Sequence, residues 1–450
     1  MPRKQRSVLT SPVLPRREFL RTLGVATAAT ALTGCYTAGP RKISANEKLN
    51  IGFIGTAGQA QFSIGNLKDQ NVVALCDVDS INLGKASQQF PSAKTYRDFR
   101  RLIDQDGIDA IVVATPDHTH AVATAAALHT GRHVYCEKPL THTVSEARII
   151  TELAQKKKLV TQIGTQIHAG NNYRRVVELV RSGAIGPVRE VHVWAAAIYG
   201  GHDAPKDMPP VPPNLDWELW IGPVAPRPYH PEYVPFKWRN WWPFGGGSLA
   251  DFGCHFMDLP FWALGLKYPT SVEPLSGPPV HADSPPPWLI VRYEFPERRE
   301  VRNNNDILVQ HPAVRLTWYH GGKRPEIVSD ELFAKYKSGV LFVGEKGMLV
   351  SDYSKHALLP EEKFKDFVAP SPFIVNSIGH HKEWVEAIKT GGTTTCHFGY
   401  SGPLTEAALL GNVAYRVGKR LEWDAQNLRA KNCPEADVLI QHHYRAGWKL

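Results

Sequence analysis

The chain has 450 residues and a formal net charge of +9 at pH 7, and its first 35 residues contribute six basic side chains and one acidic side chain to that total. The remaining part, about 415 residues with a formal charge of only +4, is long enough for two domains with separate cores. Because it contains no basic stripe interleaved with aromatic residues, we expect no nucleic-acid partner.

Residues 1–35 have the order of features that is typical of an export signal. Basic residues precede the apolar run Leu23–Leu32, which is too short to span a membrane. The pair Arg16–Arg17 fits the twin-arginine pattern, although Pro15 stands where serine or threonine is usual. The sequence LTGC, ending at Cys35, resembles a lipoprotein-processing box. We predict export through the twin-arginine route to the periplasm, with membrane attachment only through a lipid on Cys35; the alternative is a disordered basic tail.

A linker, residues 36–47, leads to the first predicted strand, which starts at Leu49 and ends at a glycine. That glycine keeps the first position of the GxGxxG template, where a tight turn is needed, whereas alanines occupy the second and third positions. We expect the loop to bind the pyrophosphate of a dinucleotide at the start of a helix. The loop residues assigned to the cofactor are Gly55, Thr56, Ala57, Gly58 and Gln59.

The next predicted strand, VVALCD, ends at Asp77, 22 residues after Gly55. An acidic residue in this place binds the ribose hydroxyls of NAD and would repel the 2′-phosphate of NADP. No arginine follows it directly. We therefore predict NAD as the cofactor and regard NADP as less favourable; the alternative is a solvated carboxylate at the end of a strand.

Two further units of strand, loop and helix follow at 109–120 and 133–140. In a doubly wound parallel sheet the loops after the strands bind ligands at one edge, so we assign 48–167 to an NAD-binding Rossmann domain. Lys138 is expected to project toward the nicotinamide. The other residues assigned to the cofactor are Thr115, Pro116, His118, His120, Glu137, Lys138 and Gln166. The two histidines are too close together for a helical ligand pair, so no metal is predicted.

Residues 199–243 are rich in proline and carry five tryptophans. Proline excludes regular structure there, but linkers rarely carry so many tryptophans. We predict a long ordered loop over the site, with aromatic faces for the C–H surfaces of a sugar. The predicted substrate wall comprises Trp238 and Arg239, with Trp241 and Trp242 beside them. In the alternative, these rings pack among themselves or at a subunit contact.

The region 168–425 is predicted to be an α+β domain for substrate binding and oligomerisation. A helix at 170–182 and the strand VREVHVWAAA are followed later by the alternating runs WLIVRYEF, AVRLTWYH and VLFVGEKGMLVSD. These runs predict a large, open, mainly antiparallel sheet with a hairpin turn at GEKG. Helices are expected near 378–390 and 403–418, and the last residues, 426–450, are predicted to be a C-terminal tail.

The segment GGGSLADFGCHFMD predicts a helix from Ser248 onward. Asp251, His255 and Asp258 follow one another at i, i+4 and i+7, along one stripe of that helix. A carboxylate one turn from a histidine suits proton transfer at neutral pH, because the acid fixes the imidazole tautomer and raises its basicity. The same spacing is common in ordinary surface or core residues, but the dinucleotide loop and Lys138 favour catalysis here.

Together, the strand-end aspartate and the segments ATPDHTH, EKP, IGTQIHAGNNYRRVVELVRSGAIGPVREVHVW and GGGSLADFGCHFMD resemble the Gfo/Idh/MocA oxidoreductases over about Leu49 to Trp423. The resemblance implies a Rossmann domain beside an open sheet. It also implies that Lys138, Asp251 and His255 act on a hydroxyl of a sugar or polyol, with a cis bond before the EKP proline. Asp258 would contact the substrate or lie just behind the site. We also expect a homo-oligomer.

The expected function is an NAD-dependent oxidation of a secondary hydroxyl of a sugar or polyol. Lys138 would stabilise the alkoxide, and either His255 or Lys138 would be the base. A glycoside hydrolase that oxidises its sugar transiently and then returns the hydride would use the same residues. A non-catalytic sugar or nucleotide sensor is a third possibility, although a sensor needs no acid–base pair.

The predicted export bears on the cofactor. Outside the cytoplasm no pool of free NAD is expected to replace or reoxidise it. We therefore expect NAD to stay tightly bound and to be recycled within each turnover, either between two sugars or by oxidation and re-reduction of one substrate.

Overall fold

The computed structural model describes residues 41, 43–302, 307–441 and 443–450. The predicted export signal, with Cys35, lies outside these residues. Within these ranges, no helix combines the length and the apolar character that a bilayer crossing requires. The described strands form a six-stranded, a nine-stranded and a two-stranded sheet.

The six-stranded sheet is parallel, with strand order β3–β2–β1–β4–β5–β6. Its strands are β1 (Asn50–Ile54), β2 (Asn71–Cys76), β3 (Lys94–Tyr96), β4 (Ala110–Val113), β5 (His133–Cys136) and β6 (Thr161–Ile163). The helices between them are α1 (Ala60–Leu67), α2 (Ser80–Gln89), α3 (Phe99–Ile103), α4 (Asp117–His129) and α5 (Val144–Lys157). The order reverses between β1 and β4, which confirms the predicted doubly wound sheet and leaves a crevice at the carboxyl ends of these strands.

Local sequence explains how the strands end and the helices begin. Every residue of β4 and β5 is buried, as expected for strands covered by helices on both faces. At the start of α5, Thr143 and Glu146 form a capping box, in which each side chain accepts a hydrogen bond from the backbone of the other. The Asp79 carboxylate caps α2 in a similar way, because it accepts hydrogen bonds from two backbone N–H groups of the first turn.

The nine-stranded sheet has the order β15–β14–β13–β7–β12–β9–β8–β16–β17. Its strands are β7 (Val188–Ala195), β8 (Ser271–Ser276), β9 (Leu289–Phe295), β12 (Val314–His320), β13 (Gly339–Gly344), β14 (Gly347–Ser351), β15 (His356–Leu359), β16 (Leu421–Asp424) and β17 (Arg429–Ala430), and β10 (Arg298–Arg302) and β11 (Ile307–His311) form the separate ribbon. Among its described strands, only β7 and β12 pair in parallel. The predicted mainly antiparallel sheet is confirmed, with the GEKG turn between β13 and β14.

Eight further helices follow β6 in the described residues. They are α6 (Asn171–Arg181), α7 (Trp217–Ile221), α8 (Gly247–Phe256), α9 (Asp258–Leu264), α10 (Asp330–Lys335), α11 (His380–Thr390), α12 (Phe398–Val417) and α13 (Asp437–Ile440). Helix α12 begins earlier than the predicted start near 403, and Pro403 lies inside it. A proline this close to the start of a helix removes one backbone hydrogen bond, and the burial of nearly the whole helix offsets that loss.

Helix α12 connects the two halves of the chain, because it packs against both α5 and α8. A buried ion pair strengthens its contact with α5. Arg148 of α5 donates to Glu406 of α12 through Nε and Nη2, at 2.9 Å from Oε1 and 2.9 Å from Oε2. The Glu406 side chain is fully buried. Arg148 also donates to the carbonyl of Ala425, at 2.8 Å. This pair therefore ties the helix layer of the parallel sheet to that of the antiparallel sheet.

The five cysteines of the described residues are all free and buried. Burial raises the pKa of the Cys254 thiol to about 12 and places the pKa of the Cys76 and Cys396 thiols well above their usual value. No disulfide therefore closes the described part of the chain.

We expect Glu406→Ala to lower the free energy of unfolding by about 3–5 kcal/mol, because it leaves the Arg148 guanidinium without its partner in a buried place. Urea denaturation of the purified variant measures the change. The matched control is Glu345→Ala, which removes a pair with Arg189 whose side chains are 52% and 64% exposed. That change should cost less than about 1 kcal/mol. Equal losses in both variants would contradict the prediction.

Candidate active site

The loop after β1 has the backbone that a dinucleotide site requires. Gly55 has φ +90°, and a Cβ there would lie 2.3 Å from the carbonyl oxygen of Ala114, so only glycine fits. Gly58 also lies in the left-handed region, at φ +57°, and faces open space. The loop leads directly into α1, whose first backbone N–H groups suit an anion. The residues of this loop therefore fit the pyrophosphate of NAD.

Asp77 follows β2 and holds this loop in place. Its Oδ2 accepts hydrogen bonds from the backbone N–H of Thr56 at 3.0 Å and from the Thr56 hydroxyl at 2.8 Å. Its Oδ1 accepts a hydrogen bond from the N–H of Asp79 at 2.9 Å. Burial raises the pKa of Asp77, and these hydrogen bonds oppose the increase. The carboxylate thus lies next to the glycine loop, where the sequence predicts contact with the ribose.

A cavity of about 210 Å³ opens where β1, β4 and β5 end. Its lining comprises Gln59, Ala114, Thr115, Asp117, Glu137, Lys138, Gln166, Trp238, Arg239 and His255. The structure therefore brings together residues that follow four strands of the Rossmann sheet (β1, β4, β5 and β6), the tryptophan-rich segment and α8. Most of them are predicted site residues, and they come from both halves of the chain.

Glu137, which follows β5, and Gln166, which follows β6, form one side of this cavity. Gln166 Nε2 donates to Glu137 Oε1 at 3.0 Å and to the Tyr135 hydroxyl at 2.9 Å. Burial raises the pKa of Glu137 to about 7. Gly164 lies directly against this carboxylate, because a Cβ there would be 2.2 Å from Glu137 Oε2. A residue larger than glycine would displace the glutamate from the cavity wall.

Lys138, Asp251 and Arg239 form the charged centre of the site. The Lys138 ammonium pairs with Asp251 Oδ1 and also donates to the Asp251 carbonyl at 3.2 Å. Arg239 Nε donates to the same Oδ1 at 3.1 Å. Burial alone would raise the pKa of Asp251, but Lys138 and Arg239 hold it at about 2. The bond between Lys138 and Pro139 is cis, as the resemblance implies.

His255 lies one turn after Asp251 on α8 and lines the cavity. Burial and, to a smaller extent, Lys138 lower the pKa of His255, Asp251 opposes the shift, and the resulting pKa is about 3. The imidazole is therefore neutral at pH 7 and able to accept a proton. The expectation that Asp251 fixes its tautomer was wrong, because Asp251 makes its hydrogen bonds with the two cations. Among the described residues His255 Nδ1 has no hydrogen-bond partner.

Asp258 lies beyond α8, which ends at Phe256, and is the first residue of α9. The Asp258 carboxylate is fully buried and lies 3.0 Å from His168 Nδ1. It also accepts a hydrogen bond from the Tyr400 hydroxyl at 2.7 Å. Together with Cys396, Asp258 and His168 form a group of possible metal ligands, which lies outside the cavity lining. Asp258 is thus part of a buried network and does not line the substrate cavity.

The tryptophan-rich segment contributes Trp238 and Arg239 to the cavity, but not the other two residues of the predicted wall. Trp241 is 2% exposed and packs in a cluster with Trp217 and Phe244. Trp242 packs in the core of the second sheet, with Arg416 over its ring at 4.8 Å. Trp241 thus packs among other rings of the segment, as the alternative states, whereas Trp242 packs in the core of the second sheet.

The segment after β4 is helical from Asp117, so its two histidines lie on α4 and not in a loop. His118 Nε2 lies 2.8 Å from the carbonyl oxygen of Trp220. His120 has ring nitrogens 2.7 Å from the carbonyl oxygens of Pro139 and Thr115. Pro116 immediately precedes the helix as its N-cap residue. These histidines fix the loops around the cavity but do not line it.

Asp117, which sequence reasoning missed, lies in the cavity wall and is only 2% exposed. Burial raises the pKa of Asp117 well above its usual value, although Arg239 opposes the shift. Its position directly after a strand end and a proline is the signal that could have identified it. Ala114, the other unpredicted residue, contributes its backbone beside Gly55.

Comparison with known proteins finds dehydrogenases among the curated relatives and an NAD complex among the solved structures. Inositol 2-dehydrogenase from Salmonella typhimurium is 29% identical over 146 residues, which are 32% of this chain and 43% of that protein. The chain thus matches less than half the length of this relative. GenD2 from gentamicin A biosynthesis, in complex with NAD, superposes with a TM-score of 0.57 at 17% identity, over 86% of this chain and 99% of that one.

A second solved structure has the same fold. The aldose–aldose oxidoreductase from Caulobacter crescentus, complexed with glycerol, has a TM-score of 0.52 at 17% identity. The match covers 84% of this chain and 100% of that chain. At these identities the structures establish the shared architecture of a Rossmann sheet followed by a large mixed sheet.

Two models of one family match consecutive parts of the chain. Residues 49–165 match the NAD-binding Rossmann fold of an oxidoreductase family, and residues 172–305 match its C-terminal alpha/beta domain. Together they cover more than half of the 450 residues. The glycine loop, Asp77 and all lining residues of the cavity except Gln166 lie within these matches. The chain is therefore an NAD-binding member of the Gfo/Idh/MocA family of oxidoreductases.

Proposed function

We propose that this protein oxidises a secondary hydroxyl of a sugar or polyol with NAD. The observation that carries the proposal is the meeting of the Lys138 ammonium and the neutral His255 imidazole in one cavity beside the dinucleotide loop. An alcohol oxidation needs a group that binds the hydroxyl oxygen and a group that takes its proton. Both are present within a wall that also contains Thr115 and Gln59 of the cofactor side.

The bound nicotinamide supplies the acceptor for hydride. Lys138 donates a hydrogen bond to the substrate oxygen and stabilises the negative charge that grows as the proton leaves. His255 accepts that proton, because it is neutral at pH 7, whereas Lys138 is held in an ion pair. Asp251 keeps the ammonium in place and is a positioning residue.

A polyol or sugar substrate is supported by the relatives and by the cavity. The matched curated relatives include inositol 2-dehydrogenases, which by name act on a cyclic polyol. In this chain the cavity is small and polar, which suits a substrate with several hydroxyl groups. A homo-oligomer remains part of the proposal.

The proposal includes export through the twin-arginine route and lipid attachment at Cys35, on the strength of the leader sequence. It also includes a cofactor that stays bound and is recycled. The close hydrogen bonding of Asp77 to the glycine loop supports slow release, because the loop is held in its binding conformation before NAD arrives. One fold neighbour is named an aldose–aldose oxidoreductase, which is consistent with an exchange between two sugars.

Lys138→Met tests the catalytic assignment. We expect turnover of a panel of sugars and polyols to fall at least about a hundredfold, because charge stabilisation at the substrate oxygen is lost. NADH affinity, measured by fluorescence titration, should stay within about threefold of wild type. Lys85→Met, at an exposed position on α2, is the matched control and should turn over normally. Wild-type turnover in Lys138→Met would refute the assignment.

Asp77→Ala tests the choice of cofactor. We expect weaker binding of NAD by about tenfold and a smaller preference for NAD over NADP, because the carboxylate no longer binds the ribose or repels a 2′-phosphate. Arg97, whose Nη2 lies 3.5 Å from the Val78 carbonyl, is then the nearby cation for that phosphate. Calorimetric titrations with both nucleotides measure the ratio, and thermal unfolding verifies the fold. An unchanged ratio would show that Asp77 does not meet the ribose.

Protein purified from an exported fraction without added nucleotide tests cofactor retention. We expect near-stoichiometric NAD(H) by mass spectrometry, with a reduced-nicotinamide absorbance band that one substrate produces and a second substrate removes. An apo protein that turns over only with added NAD and releases NADH would contradict retention. Product formed by cleavage of a glycoside, without net NADH, would identify a hydrolase instead.

A further inference from the structure

The Arg239 guanidinium has hydrogen-bond donors that the described protein does not use. Its Nε donates to Asp251, but neither Nη1 nor Nη2 has an acceptor among the described residues. The group lies over the Trp238 ring at 4.0 Å from the centroid and over the Phe236 ring at 4.8 Å. These ring contacts hold the guanidinium carbon in place without satisfying its N–H groups.

The unused donors belong to the cavity. Arg239 is one of its lining residues, and its side chain is only 17% exposed. A planar guanidinium presents its N–H groups as a fork that matches the two oxygens of a carboxylate or a phosphate. Because stacking already holds this fork, little side-chain entropy is lost when an anion binds. Arg239 therefore has the form of a prearranged anion-binding group.

The charges around the cavity favour an anion as well. Lys138 and Arg239 are cations, and the Asp251 carboxylate that they share is the one group in the lining or next to it whose pKa is held low, at about 2. Burial keeps the pKa of Asp117 well above its usual value, and His255 is neutral. Glu137, whose pKa burial raises to about 7, faces Gln166 on the cofactor side. The two cations and the one carboxylate that they share thus carry a net positive charge on the substrate side.

We propose that the substrate is an anionic sugar, whose carboxylate or phosphate ester pairs with the Arg239 fork while its reacting hydroxyl binds Lys138. This inference rests on the proposed function, because that function assigns the reacting hydroxyl to Lys138. It specifies the substrate class, because a neutral sugar would leave the Nη groups of Arg239 without an ionic partner. Because Arg239 and Lys138 both contact Asp251 Oδ1, the anion site and the hydroxyl site are neighbours.

The test is calorimetric titration of NADH-loaded protein with matched sugars. Glucose is compared with glucuronate and glucose-6-phosphate, and galactose is compared with galacturonate. We expect at least one acidic sugar to bind at least about tenfold more tightly than its neutral counterpart. A preference for glucuronate and galacturonate identifies a carboxylate, whereas a preference for glucose-6-phosphate identifies a phosphate ester.

Variants assign the effect to Arg239. Arg239→Gln should bring acidic and neutral sugars to within about twofold of one another, whereas Arg239→Lys should keep part of the advantage, since it retains a charge without the fork. Arg416→Gln is the matched control, because it removes an arginine that stacks on Trp242 outside the cavity. That variant should keep the full advantage. If Arg239→Gln fails to fold, the comparison of wild type with Arg239→Lys still tests the inference, because the lysine variant should keep only part of the advantage of acidic sugars.

The inference is overturned if wild type binds no acidic sugar more tightly than its neutral counterpart, or if Arg239→Gln keeps the advantage. Reduction of bound NAD by each sugar is recorded separately. Neutral sugars that reduce NAD with no acidic preference would leave the proposed oxidation intact and refute the anion site. Acidic sugars that bind through Arg239 but never reduce NAD would refute the oxidation and retain the anion site.

Discussion

The site depends on one buried carboxylate oxygen that two cations share. Asp251 Oδ1 pairs with Lys138, which follows β5, and with Arg239, from the tryptophan-rich segment. Without it, two positive groups would face one another in a small cavity, and removal of a partner from a buried ion pair costs about 3–5 kcal/mol. Since Asp251 belongs to α8 and Lys138 to the Rossmann part, the reactive arrangement exists only when both parts of the chain are assembled.

Residues at strand ends could be predicted from sequence, because each follows an apolar run that marks a buried strand and shows where its carboxyl end lies. Gly55, Asp77 and Lys138 come directly after such runs, and a doubly wound sheet places all three ends at one edge. His255 was predictable for a different reason. It stands one helical turn from an aspartate on a segment that begins with glycines, and the structure places it on the cavity wall.

Other positions could not be predicted, because a sequence pattern does not show which neighbours a side chain meets. Asp258 continues the spacing of α8, and nothing in that spacing shows that a new helix starts there and turns its carboxylate toward His168. Similarly, Trp238 and Trp241 both belong to one buried cluster, and the composition of the tryptophan-rich segment does not show that only Trp238 of this pair also lines the cavity. Asp117 was missed because the polar residues after β4 predict a loop, whereas the helix α4 already begins at Asp117.

The buried thiols have a consequence for the chemistry of the folded chain. Because the described cysteines form no disulfide and burial raises the pKa of several of them, almost none is present as the reactive thiolate at neutral pH. These five side chains are therefore packed thiols in the native state, and the described part of the fold needs no covalent step at a cysteine to form.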